Sequence, residues 1–237
     1  MKYQIKHRFT DAALFECELP DDTPSGLVTR HALEKAVSSG VSLDGANLVG
    51  ARLVGANLDG ASLDGASLYG ARLDGASLDW ASLYGARLDG ASLVRASLYG
   101  ANLDGASLVR ASLVGANLDG ASLVRASLYG ANLDGASLAG ASLVGANLDG
   151  ASLDGASLYG VRLTGKRPIF MIGPIGSRCA YFTSYNTEKG IMLRAGCFFG
   201  TVDEFTEKLS KEHQDNDHAK EYLAALELIK CHASIWK

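Results

Sequence analysis

The chain has 237 residues, 20% of them charged, and a formal net charge of −4. So modest an acidic balance lacks the basic footprint that nucleic-acid binding requires. No apolar stretch follows Met1-Lys2-Tyr3, so neither a signal peptide nor a membrane span is expected, and a cytoplasmic protein is.

Residues 1–40 read as an N-terminal cap. Tyr3–Phe9 alternates as a strand, and Leu14-Phe15 with Cys17–Leu19 forms a second extended piece. Leu27, His31 or Ala32, and Leu33 to Val37 have helical spacing over 26–38, which Gly40 ends.

From Val41 to Gly165 a leucine falls on every fifth residue, Leu43 to Leu163, in twenty-five units of the form Ala-x-Leu-x-Gly. Five fits neither the helical period of 3.6 nor the two-residue alternation of a strand. A chain that meets the same inward residue every five positions must turn once per unit and bury its leucines by stacking coil on coil. Ala and Leu, two apart on an extended segment, share the inner face. The residue between them, only Ser, Asn or Arg, points outward. Leu-x-Gly-Ala then spans a four-residue turn whose third position needs the positive φ that glycine adopts without steric cost, a type II turn. Gly stands there in twenty-one units; Trp80, Arg95, Arg110 and Arg125 replace it in the others. A bulky residue at positive φ is strained, so type I turns are expected at these four. With no outlier among the leucines, every coil is expected to be about equally stable.

A longer beat lies over the short one. Units beginning at 41, 56, 71, 86, 101, 116, 131 and 146 carry Asp after the Leu, a period of fifteen. Such a beat favours tandem duplication with drift, or a designed consensus array, over selection of one binding face.

Residues 166–237 read as a C-terminal α+β cap. Arg167 to Ile172 opens it, and Gly173-Pro174-Ile175-Gly176 reads as a turn. Strands follow at Cys179–Tyr185 and Gly190–Ala195. Thr201-Val202-Asp203-Glu204 is a capping-box signature for a helix to about Glu212. A second helix runs from Asp217 to about Ala233, with Tyr222, Leu223, Leu226 and Ile229 on one face and Trp236 closing it.

No constellation meets the first geometric criteria for catalysis, so no catalytic, cofactor-binding or metal-binding residues are assigned and no enzyme is expected. His213 and His218 flank an acidic stretch but straddle a helix start, the pattern of a solvated loop. Gly173-x-x-Gly176 is too short for a phosphate cradle. Cys17, Cys179, Cys197 and Cys231 have no CxxC spacing and read as buried free thiols, Cys179 and Cys197 as core.

The repeat resembles the pentapeptide repeat family, whose pattern is Ala-(Asp/Asn)-Leu-x-x; Ala-Asn-Leu-Asp-Gly recurs verbatim at 56–60, 101–105, 116–120, 131–135 and 146–150. The resemblance implies a mainly β fold, a right-handed quadrilateral β-helix solenoid with four units per coil and about six coils, roughly 30 Å long at ordinary strand spacing. Ser precedes the Leu more often than the family's Asp or Asn, an exchange expected to weaken side-chain hydrogen bonding at those corners. On a twenty-residue coil, an Asp recurring every fifteen residues steps one face per occurrence, so Asp44, Asp59, Asp74 and Asp89 land on four faces. The tail resembles those of bacterial and phage-encoded members of the family.

Two functions follow from the resemblance. One is a non-enzymatic structural or interaction scaffold with an unspecified protein partner, monomeric or dimerised through its caps. The other is a DNA mimic that inhibits DNA gyrase. A duplex carries about one charge per 1.7 Å, roughly eighteen over 30 Å. The net −4, with Arg interspersed, is a poor match and favours the scaffold.

Overall fold

The computed structural model describes residues 1–165, 168–176 and 179–236; Arg167, at the expected opening of the tail, lies outside them. The regular elements, in order, are β1 (Lys2–Lys6), β2 (Ala13–Glu18), α1 (Val28–Ser38), β3 (Ser157–Leu158), β4 (Val161–Arg162), β5 (Ile169–Ile175), β6 (Ala180–Thr187), β7 (Gly190–Ala195), β8 (Phe198–Thr201), α2 (Val202–His213) and α3 (Asp217–Ile235). The chain divides into two compact units, Met1–Ser152 with Ala156–Tyr159, and Leu153–Gly155 with Gly160–Lys237.

In the first unit, each repeat pairs in parallel with the repeat twenty residues on: Arg52 with Arg72, Asn57 with Ser77, and so on to Ser137 with Ser157. Four units of five therefore make one return of the chain. The pairing consists of isolated bridges, one residue per unit, so regular strands are a minority. The reason is arithmetic: Leu-x-Gly-Ala turns, and only the residue before Leu is left to pair. Around one corner, Leu98 N donates to Asn117 O at 2.7 Å, Gly100 N to Asp119 O at 2.9 Å, and Asn117 N to Ala96 O at 2.9 Å, while Ala101 N closes the turn on Leu98 O at 3.0 Å.

Leu58 through Leu138 are at most 1% exposed, each stacked beside an Ala no more than 3% exposed. Complete burial of a Leu is worth about 2 kcal/mol, opposed by the cost of ordering the backbone. Burial thins at the far end of this unit, where Leu143 is 9% exposed and Leu148 half-buried, so the coils are not equally protected as expected.

The expectation of type I turns at the four replaced glycines fails. Trp80, Arg95, Arg110 and Arg125 have φ of 61°, 56°, 57° and 58°, the left-handed region of the glycines around them. The register explains it. Trp80 N donates to Tyr99 O at 2.8 Å and Arg95 N to Val114 O at 2.9 Å, the same bond the corner glycines from Gly45 to Gly130 make. A different turn would aim that N–H away from its acceptor, and losing a half-buried backbone bond costs as much as the left-handed strain. Each replaced corner also lies beside a glycine twenty residues on. The Trp80 ring fills the space a Gly100 side chain would take, and the Arg110 Cγ packs beside Gly130.

The head closes the first coil. β1 and β2 pair antiparallel, from Lys2 opposite Glu18 to Ile5 opposite Phe15. At the end of β1 and just past it, Lys6 O accepts from Asn47 N and Arg8 N donates to Gly45 O, both at 2.8 Å, in place of a preceding coil. From α1, Arg30 Nη1 donates to Val54 O at 2.9 Å and Glu34 Oε1 accepts from Asn57 N at 3.0 Å. An open stack presents unpaired backbone groups at its end, and these bonds satisfy four of them.

The second unit holds an antiparallel sheet in the order β5-β6-β7-β8. Phe182 and Leu193 from the sheet, Phe205 and Leu209 from α2, and Tyr222, Leu226 and Ile229 from α3 form its core. The expected turn at 173–176 is instead largely strand: β5 runs through Ile175, with a register shift between Ile172 and Ile175. β8 was not legible, because its four residues, Phe198–Thr201, run directly into the α2 cap. That cap is the expected capping box, Thr201 Oγ1 accepting from Glu204 N and Glu204 Oε2 from Thr201 N. Leu223, expected on the buried face of α3, is 45% exposed. Trp236 caps the helix, its N–H donating to His232 O at 3.1 Å.

At Arg110 the register predicts an asymmetric response. Arg110→Gly should melt at or above the parent temperature, because glycine adopts the left-handed corner freely. Arg110→Val should lose about 1 kcal/mol or more, because a β-branched residue fits that region worst. Chemical denaturation of both variants measures this; equal stability of the two would remove the register account of these corners.

Candidate functional site

Each unit presents two outward side chains, one before and one after the Leu, and the twenty-residue register decides which of them meet. An Asp after one Leu lies two residues past, and one coil below, the Ser that precedes the corresponding Leu, a separation of eighteen. Nine of the eleven aspartates in the repeat have Ser at that separation, and in all nine the Ser hydroxyl donates to Asp Oδ1. Ser62 reaches Asp44 at 2.7 Å, Ser77 reaches Asp59 at 2.5 Å, and Ser122 reaches Asp104. The same Oδ1 commonly accepts a backbone N–H twenty residues on, as from Tyr84 to Asp64 and Val124 to Asp104, both at 3.0 Å. Where Asn replaces Ser, its Oδ1 accepts the same N–H from within its own unit, as Asn102 does from Asp104 and Asn117 from Asp119, both at 3.0 Å. Serine therefore does not weaken the corners, as its departure from the family pattern suggested. It ties each aspartate to the next coil.

Burial works against ionisation of Asp44, but hydrogen bonds from Ser62 and Ser42 and from the Asp64 amide outweigh it. Together they hold the Asp44 carboxyl below the usual carboxylate range.

The surface charge is not evenly spread. The fifteen-residue beat places two of its eight aspartates in each of the four columns of stacked units. The departures from the beat break this symmetry. The columns beginning at 41 and 56, adjacent in the chain, hold Asp44, Asp64, Asp104, Asp59, Asp79 and Asp119, with Arg125 their one cation in the first unit. The other two columns hold Asp74, Asp89, Asp134 and Asp149 with Arg52, Arg72, Arg87, Arg95 and Arg110. There Arg72 lies 3.6 Å from Asp74 and Arg87 3.7 Å from Asp89. One side of the stack is acidic and the other close to neutral. The acidic side also carries exposed Trp80, Tyr84 and Tyr99; the Trp80 and Tyr99 rings meet edge to face with centroids 5.2 Å apart. The beat alone hid this asymmetry, but counting Arg along each twenty-residue column would have found it.

In the second unit a cavity of about 360 Å³ opens beside the β7–β8 turn, lined by Phe198, Phe205 and Tyr222 with Cys197, Lys208 and His213 among its polar groups. His213 and His218 stand 6.0 Å apart between ring centroids, and among the described residues no group of three His, Cys, Asp or Glu is placed to hold a metal ion. Of the cysteines expected in the interior, only Cys17 is buried. Cys197 sits in the two-residue turn between β7 and β8, Cys179 in the turn before β6, and Cys231 on the outer side of α3, so their apolar neighbours in sequence do not enclose them. Among the described residues no helix is long and apolar enough to cross a membrane.

A family model described as pentapeptide repeats matches eight copies, over residues 42–79, 76–113, 102–138 and 131–165, more than half of the chain. Among solved structures, the chain is similar to the pentapeptide repeat protein Rfr23 of the cyanobacterium Cyanothece 51142, 44% identical, over 37% of this chain and 59% of that one, with a TM-score of 0.37. It is similar to a pentapeptide repeat protein of the Arabidopsis thaliana thylakoid lumen, 30% identical, over 49% of this chain and 68% of that one, TM-score 0.26. It is also similar to QnrB1, a plasmid-mediated fluoroquinolone resistance protein, 21% identical, over 48% of this chain and 65% of that one, TM-score 0.31. Comparison with curated protein sequences returned no match.

The Ser–Asp network predicts that Asp104→Ala destabilises the protein by about 1.5–3 kcal/mol, the range for hydrogen bonds to a charged group. Ser122→Ala should cost less, and the double variant less than the sum of the two. A thermodynamic cycle by urea denaturation checks the coupling. Asp44 predicts a pH dependence. Its folded carboxyl titrates below the unfolded value of 3.8, so its contribution is complete above that value and is lost as the pH falls through the folded one. The stability difference between the parent and Asp44→Ala should therefore be larger at pH 7 than at pH 2.5.

Proposed function

We propose that this chain, which belongs to the pentapeptide repeat family, is a non-enzymatic interaction scaffold: a right-handed quadrilateral β-helix of about six coils over 41–165, closed by residues 1–40 and 166–237. The twenty-residue register carries this reading. It directs the repeat's outward polar groups into bonds between coils, which make a surface and not a reaction centre. The hydroxyls of Ser62, Ser77 and Ser122 are committed to aspartates one coil away, a structural use that supports this reading. Within the family reading, the β1–α1 head acts as the N-terminal cap and the β5–β8 sheet with its helices as the C-terminal one. The partner is a protein; the acidic balance gives no support for direct nucleic-acid binding.

Gyrase inhibition through duplex mimicry is the weaker reading. A duplex carries about eighteen charges over 30 Å in all, distributed around its whole surface. Here two of the four columns are close to neutral, and nine of the eleven aspartates give one oxygen to a neighbouring coil. A supercoiling assay with excess protein should show no inhibition of DNA gyrase. Clear inhibition at low micromolar protein would falsify the scaffold reading and restore mimicry.

A further inference from the structure

We infer that the acidic, aromatic side of the repeat docks an arginine-bearing segment of a partner polypeptide, with Trp80 as the anchor. This rests on the scaffold reading and names the partner's chemistry.

The first observation is where the tryptophan stands. Trp80 holds a corner that twenty-one other units give to glycine, takes a left-handed φ of 61°, and is 67% exposed. A ring placed for packing gains burial; this one gains little and strains the backbone. Strain combined with exposure marks a residue whose use lies outside the fold. The ring is nevertheless fixed. One part lies over Gly100, where a side chain would approach within 2.5 Å, and its edge-to-face contact with Tyr99 sets its tilt. An aromatic surface already held in place loses little rotamer freedom when a ligand arrives.

The second observation is the room beside it. Past the ring over Gly100, the same corner is held by Gly120 and Gly140, each stacked so that a Cβ on it would lie 3.9 Å from the glycine below. The backbone there is bare, and an extended chain can approach it closely.

Charge complementarity selects the occupant. Asp79 immediately precedes Trp80, and Asp59 and Asp119 lie in the same column, whose units contain no Lys or Arg. The Oδ1 atoms of Asp59, Asp79 and Asp119 accept from Ser77, Ser97 and Ser137, while their Oδ2 atoms have no hydrogen bond among the described residues. An apolar segment would desolvate these carboxylates without pairing them, and a polyanion would be repelled. A guanidinium answers both features at once, because its plane stacks on indole while its edge donates to a carboxylate. An ammonium has no plane to stack.

The test uses the full chain, fluorescein-labelled octa-arginine and octa-lysine, and fluorescence anisotropy at 150 mM salt. Octa-arginine should bind more tightly than octa-lysine. Trp80→Gly restores the residue its corner favours and leaves the net charge unchanged, and it should weaken octa-arginine binding by about fivefold or more. Arg110→Gly, the equivalent change in a column on the neutral side, should not weaken it. The proposal is overturned if octa-arginine does not bind, if the two peptides bind equally, or if Trp80→Gly binds as the parent does. Each of those results leaves the scaffold reading standing, since only the supercoiling assay decides that.

Discussion

The return of the chain to the same place every twenty residues is the constraint on which the first unit depends. It is set by backbone hydrogen bonds repeated with little change in every coil, such as Leu98 to Asn117 and Gly100 to Asp119. Once that register exists, each outward side chain meets only the one in its own column. Leucines stack on leucines, serines reach aspartates, and a corner residue of any size is held at positive φ because its N–H already has a partner. Local preference yields to tertiary register wherever the two conflict, as at Arg95 and Arg125, because many small, identical bonds act together.

The register also explains how a monotonous sequence acquires a surface with two sides. A fifteen-residue beat on a twenty-residue return spreads its members evenly, and the regular aspartates alone would give a stack without a preferred side. Asymmetry enters through the exceptions: Asp64 and Asp79 fall on two adjacent columns, and five arginines fall on the other two. The information on this surface lies in the departures from the repeat. Trp80 departs furthest, being large, exposed and strained at a glycine corner.

The head and the second unit follow different rules from the repeat. A stack of coils has unpaired backbone groups at its first turn, and the head meets them with main chain at Lys6 and Arg8 and with Arg30 and Glu34 from α1. The second unit builds an ordinary core in which Phe182, Phe205 and Tyr222 pack ring against ring, Phe182 and Phe205 with centroids 5.0 Å apart. Its elements were legible to the extent that their signals are local. The Thr201–Glu204 capping box announces α2, whereas β5 beyond Ile172 and the short β8 depend on pairing with strands distant in sequence.

The amino-acid sequence by itself determined the period, the inward leucines, the glycine corners and the family, because each is a statement about neighbours within five residues or about repetition. It could not determine what happens between positions eighteen or twenty apart, since nothing in one unit refers to the unit above it. Only the tertiary structure decided that Ser122 bonds Asp104, that Trp80 keeps a glycine's conformation over Gly100, and that Cys197 faces outward from a hairpin turn. The physical reason is that the energies come from contacts made only after the chain has returned: between coils for Ser122 and Trp80, and between β7 and β8 for Cys197.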